Sequence, residues 1–123
     1  MRVLLDTHLL LWSFVAPKRI PPDLHALLTR PDTEIVYSAV NIWEIAIKAR
    51  LGRADFPARP ARVIEMAKAS NYAELPVTAA AAAIVADLPL HHRDPFDRLL
   101  VAQAIAAPAR LYTSDRRLAP YSE

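Results

Sequence analysis

Short apolar runs alternate with helical stretches along the whole of this 123-residue chain, and that alternation constrains the fold more than any other feature. Arg2–Leu5 is an apolar run ending at Asp6, and Thr7–Val15 follows with a helical pattern carrying Leu9, Leu10 and Trp12. A run this short suits helix or strand. Its place at the chain start, ahead of a distinct helix, makes it a buried strand. Pro21 and Pro22 open a second helix over 22–30, where prolines are tolerated in the first turn. Residues 34–37, β-branched and aromatic, read as a second strand. Ser38 then caps a helix running to Leu51, and Gly52, the only glycine, stands where a C-terminal cap wants positive φ. That helix is expected to place Ile42, Ile45, Ala46 and Ala49 on one buried face.

A Pro-containing loop is expected over 55–60, a helix over 60–70 and a short strand within 72–77. Thr78 caps an Ala-rich helix that stops before Pro89. Asp94 caps the next helix, with Pro95 at its first position, and that helix runs to about Ala107. Residues 110–113 form a last strand, leading into Ser114, Asp115 and a short helical tail. Helices alternating with short strands predict an α/β fold on a parallel sheet. With no internal repeat and no linker, residues 1–123 read as a single domain.

Composition removes whole classes of function. At 54% hydrophobic and 23% charged, the chain is not disordered. The absence of cysteine excludes a zinc ribbon, an iron–sulfur site and a disulfide scaffold. One glycine cannot supply a P-loop, a Rossmann fingerprint or a hydrolase nucleophile elbow. Fifteen Lys+Arg against thirteen Asp+Glu leave a formal charge of +2, which is weak support for a nucleic-acid partner. No apolar run approaches the roughly 20 residues of a membrane span. Asp6 comes too early for a signal peptide. The expectation is a soluble, cytoplasmic protein.

Ligands in open α/β sheets bind beyond the carboxyl ends of the strands. Asp6 follows the first strand and Asp115 the last; Asp97 lies in the first turn of one helix and Glu44 in the second turn of another. Converging, the four would make an all-oxygen, strongly acidic site suited to Mg2+ or Mn2+ and to metal-assisted phosphoryl chemistry. Each acid also has an ordinary reading. Asp6 can cap the helix at Thr7, and Glu44 can pair with Lys48 at i, i+4 on a helix surface. Asp97 can favour its helix dipole beside the cap Asp94, and Asp115 can be a turn acid. His91 and His92 are adjacent and cannot share an ion as an i, i+4 pair would, which favours a loop role near a phosphate. His8 and His25 read as surface or core-edge residues, and Trp12 and Trp43 as core or interface.

In order, LLDTHLLLW (4–12), YSAVNIWEIAIKARLGR (37–53), LPLHHRDPFDRLLVAQA (88–104) and LYTSD (111–115) resemble PIN-domain proteins, in particular the VapC toxin ribonucleases of bacterial toxin–antitoxin pairs. The matching stretches span nearly the whole chain, and the third is the most specific. The resemblance implies a three-layer α/β/α sandwich with a short central parallel sheet. It places the family's metal-binding and catalytic acids on Asp6, Glu44, Asp97 and Asp115. It further implies one or two Mg2+ or Mn2+ ions and hydrolysis of RNA, tRNA or another structured or single-stranded species. A metal would activate the attacking water and stabilise the leaving 3′ oxygen, leaving 5′-phosphate and 3′-hydroxyl ends.

Thr7 and Ser114, beside ligand positions, are candidates for orienting water or phosphate. Arg93, Arg98, Arg116 and Arg117 are candidates for phosphate contacts. Relatives are commonly homodimers held inactive by an antitoxin, so both partners are expected. Two departures stand out: alanine near Ala81 where relatives often carry histidine, and an end at Glu123, before a short strand that follows the tyrosine matching Tyr121.

Two rivals remain. A haloacid-dehalogenase-type phosphotransferase needs a second Asp two residues after the first, where this chain has His8, and a receiver domain fits as poorly. A catalytically silent PIN-like scaffold for RNA or protein is the other.

Overall fold

The computed structural model describes residues 1–52, 59–89 and 94–114. Its strands are β1 (Arg2–Leu5), β2 (Glu34–Ser38), β3 (Ala73–Leu75) and β4 (Arg110–Tyr112). All pairings are parallel, and the spatial order is β3-β2-β1-β4. The α-helices are α1 (Thr7–Val15), α2 (Pro22–Leu28), α3 (Ala39–Arg50), α4 (Pro60–Ala69), α5 (Ala79–Ile84) and α6 (Pro95–Ala106).

Strand alternation separates the layers. Val3 and Leu5 of β1 and Ile35 and Tyr37 of β2 point to one face, where Leu9, Leu10, Leu24, Ile45, Val63 and Ala67 of α1 to α4 cover them. Leu4 and Val36 point to the other face and meet Leu100 and Ala104 of α6. A central parallel strand is buried on both sides, which is why β1 reads as an unbroken apolar run. Each such Leu withdrawn from water contributes about 1.5–3 kcal/mol. The result is the α/β/α sandwich on a short parallel sheet.

Most predicted elements stand where expected, with differences at their ends. Helix α2 stops at Leu28, and the Thr29 hydroxyl turns back to the Ala26 carbonyl at 3.0 Å. Beyond it, Arg30 chelates Asp32, and this hydrogen bond holds the Asp32 carboxyl below its usual range. Strand β3 lies within the window expected for a short strand and ends at Leu75, where Pro76 has no N–H with which to continue the ladder. The Ala-rich helix tightens to a 3-10 turn at Val85–Asp87. Gly52 has φ +76° as a C-terminal cap requires. Most of the 55–60 loop and the helical tail lie outside the described residues.

The main correction concerns the face of α3. Ile45 is buried as expected, but Ala46 is exposed, and Val40, Asn41 and Glu44 are buried instead. The helix crosses the end of the sheet, with Val40 in the α6-side cluster and Ile45 in the opposite one. Its inward stripe therefore includes two polar residues, Asn41 and Glu44, at i, i+3. Trp43, expected in core or interface, is half exposed and meets the Phe96 edge at 4.9 Å.

Candidate functional site

Strand β1 has β2 on one side and β4 on the other, so its carboxyl end is the point where the chain's winding changes direction. Open α/β sheets bind ligands at such points. Asp6 stands there. Its backbone N–H donates to the Tyr112 carbonyl at 3.0 Å, extending the β1–β4 ladder by one bond. Its side chain is buried, with 4% of the residue exposed. Oδ1 accepts the Leu9 N–H at 2.8 Å, so Asp6 does cap α1. Oδ2 accepts the Thr113 hydroxyl at 2.9 Å, the Ser114 N–H at 2.8 Å and the Ser114 hydroxyl at 3.1 Å. The carboxylate is thus clamped from two elements in one orientation.

Glu44 reaches the same end from α3. Its Oε1 accepts the Thr7 hydroxyl at 2.6 Å, and Thr7 follows Asp6 directly. Its Oε2 is 2.6 Å from the Lys48 ammonium. The predicted i, i+4 pair exists, but it is no surface pair: the Lys48 and Glu44 side chains are 17% and 6% exposed. Thr7, a candidate for orienting water or phosphate, bridges α1 to α3, donating to Glu44 and accepting from Asn41 Nδ2 at 3.0 Å. Ser114 donates to Asp6 Oδ2 through both its N–H and its hydroxyl.

Asp97 lies in the first turn of α6, half-buried. Asp94 is the cap, its Oδ1 accepting the N–H groups of Phe96 and Asp97 at 2.9 and 3.4 Å. The Trp43–Phe96 contact joins the residues next to Glu44 and Asp97, and Lys48 Nζ is 5.7 Å from the Phe96 ring centroid. Arg98 donates to the carbonyls of Val85 and Pro89, both at 3.0 Å, tying the 3-10 turn to α6. His8 meets the Trp12 ring at 5.8 Å, and His25 is exposed. Asp115, His91, His92, Arg93, Arg116 and Arg117 lie outside the described residues.

Asn41 is the residue that sequence reasoning missed. It completes a capping box by accepting the Ser38 N–H at 2.7 Å, and its amide reaches the Leu5 carbonyl and Thr7. The available signal was Ser38 followed by an amide side chain three residues later. The Ser38 hydroxyl, in turn, donates to Gln103 of α6.

The donor set fits a hard divalent ion. Among the described residues no group of three or more carboxylates or imidazoles is close enough to hold a metal alone. Mg2+, however, keeps several waters and is usually bound through one or two carboxylates together with substrate phosphate. Asp6 and Glu44, linked through Thr7 and both buried, are two carboxylates that could serve such an ion.

The pattern that defines the PIN domain matches residues 3–123. This chain belongs to the PIN-domain family. The PIN domain is 32% identical over 117 residues to ribonuclease VapC22 of Mycobacterium tuberculosis, covering 94% of this chain and 88% of that protein. Its fold is similar to that in the crystal structure of VapBC2 from Rickettsia felis bound to a DNA fragment from their promoter (TM-score 0.71, 16% identity, 98% of this chain and 93% of that one). It is also similar to that in VapBC-1 from nontypeable Haemophilus influenzae (TM-score 0.66, 15% identity, 98% and 92%).

Proposed function

We propose that this PIN domain is a Mg2+- or Mn2+-dependent endoribonuclease, the toxin of a toxin–antitoxin pair, acting in the cytoplasm as a single domain over residues 1–123. The observation that carries the reading is the Asp6–Thr7–Glu44 link, which sets two buried carboxylates at the switch point of the sheet. The similarity to ribonuclease VapC22 over nearly the whole chain supports an RNA substrate. The likeness to toxin–antitoxin complexes supports a cognate antitoxin as partner. A homodimer is part of the same reading.

Asp6 and Glu44 would hold the metal, with Asp97 and Asp115 as the further ligand candidates. A bound divalent ion would supply an activated water and charge stabilisation for the leaving oxygen of the scissile phosphodiester. The chain's own contribution is placement. Thr113 and Ser114 fix Asp6 from just beyond β4, and Thr7, oriented by Asn41, fixes Glu44 from α1. Carboxylates held this way are oriented before substrate arrives.

The test is cleavage of labelled tRNA and generic single-stranded RNA in Mn2+, Mg2+ or EDTA, with Asp6→Ala and Asp97→Ala beside the wild type. Metal-dependent cutting, lost in both folded variants, is the expected result. RNA binding by folded wild type without cutting in Mn2+ would replace this reading with a silent scaffold.

A further inference from the structure

The Lys48 ammonium sits on Glu44 Oε2 at 2.6 Å, and the other oxygen of that carboxylate accepts from Thr7, the residue after Asp6. Both Glu44 oxygens are engaged, one by the neutral Thr7 hydroxyl and one by a full positive charge. A surface pair at this spacing would mean little, but this one is largely withdrawn from water, where removing either partner strands the other charge. Lys48 also lies within cation–π range of the Phe96 ring, one residue from Asp97.

We infer that Lys48 is an exchangeable counter-cation of the metal site: its ammonium neutralises Glu44 while no metal is bound and yields that oxygen when a divalent ion enters. The Phe96 face gives the displaced ammonium a second resting place. The inference rests on the metal-site reading above and adds a regulator of affinity to it. A positive charge already in the pocket repels an incoming divalent ion and competes for one of its ligands, so Lys48 lowers metal affinity. The same charge keeps the metal-free pocket folded. Lys48 is here a positioning residue for Glu44 and has no assigned contact with substrate.

The experiment is calorimetric titration of Mn2+ into wild type, Lys48→Met, Lys48→Arg and Asp6→Asn, with melting temperatures at each metal concentration. Lys48→Met keeps the length of the side chain and removes the charge. It is expected to bind Mn2+ roughly tenfold more tightly and to melt below wild type without metal, the gap closing as Mn2+ is added. Lys48→Arg, which keeps the charge, is expected to bind Mn2+ much as wild type does. Mn2+ binding in Lys48→Met that is unchanged or weaker overturns the inference and leaves the metal site standing. Failure of Lys48→Met to fold even with Mn2+ also overturns it, since the ammonium would then be a fixed structural charge. Mn2+ binding in wild type that is absent, or indifferent to Asp6→Asn, overturns the metal-site reading itself and this inference with it.

Discussion

Asp6 and Asp94 begin helices in the same way, yet they do different work. Each stands one residue before a helix and accepts backbone N–H groups from its first turn. The Asp94 carboxylate accepts from its own helix, at the N–H groups of Phe96 and Asp97. Asp6 spends one oxygen on α1 and turns the other to Thr113 and Ser114, more than a hundred residues away. Capping and site-building are therefore not alternatives. What separates them is the non-local partners, which a position in the sequence does not disclose.

The strongest way to break this comparison is Asp6→Asn. Asn keeps one acceptor for the α1 cap but sets its NH2 against the Thr113 and Ser114 donors, so a stability loss of about 1–3 kcal/mol is expected while RNA cleavage falls by about 100-fold or more. Paired thermal melts and initial-rate assays measure the two effects, and cleavage retained by the folded variant would reduce Asp6 to a structural acid. Next in size is Thr7→Val, which removes the bridge between the helices. It leaves Glu44 Oε1 and Asn41 Nδ2 each short of a buried partner, and urea denaturation should show a loss of about 1–3 kcal/mol.

Asp94→Ala sharpens the contrast from the other side. Losing a purely local cap should cost about 1 kcal/mol, with cleavage retained well below the melting temperature. The smallest effect is expected from Thr113→Ala, one of three donors on Asp6 Oδ2. It should cost about 0.5–1.5 kcal/mol, and because the Ser114 bonds remain, cleavage should fall less than in Asp6→Asn. A drop as large as that of Asp6→Asn would show that the clamp acts through Thr113 alone.

How much of the site was legible follows the same line. Asp6 and Asp97 were marked by local pattern, an acid closing an apolar run and an acid in the first turn of a Pro-led helix. Glu44 was marked too, but with Lys48 it read as an ordinary exposed pair. Nothing within one helix says that this pair lies under the end of a sheet. Asn41 passed unnoticed because an amide at that spacing is explained locally by the cap at Ser38, although the same side chain also holds Thr7 and Leu5. Arg98 was marked by its charge alone. Nothing local announced that its guanidinium spans two backbone carbonyls.

The order of strands and helices, the caps at Ser38, Thr78 and Asp94, and the turn at Gly52 were set by local rules: apolar periodicity, side chains that accept helix N–H groups, and a backbone free to take positive φ. The rotation of α3 was decided elsewhere. A helix with apolar residues on more than one side can bury several different stripes, and its neighbours select among them. Val40 against α6 and Ile45 against α4 and β1's far face turn Asn41, Glu44 and Lys48 inward. Burial strengthens the resulting charge contact because the surrounding protein is less polarisable than water, and that strength comes from the packed sheet and helices, which no single segment contains.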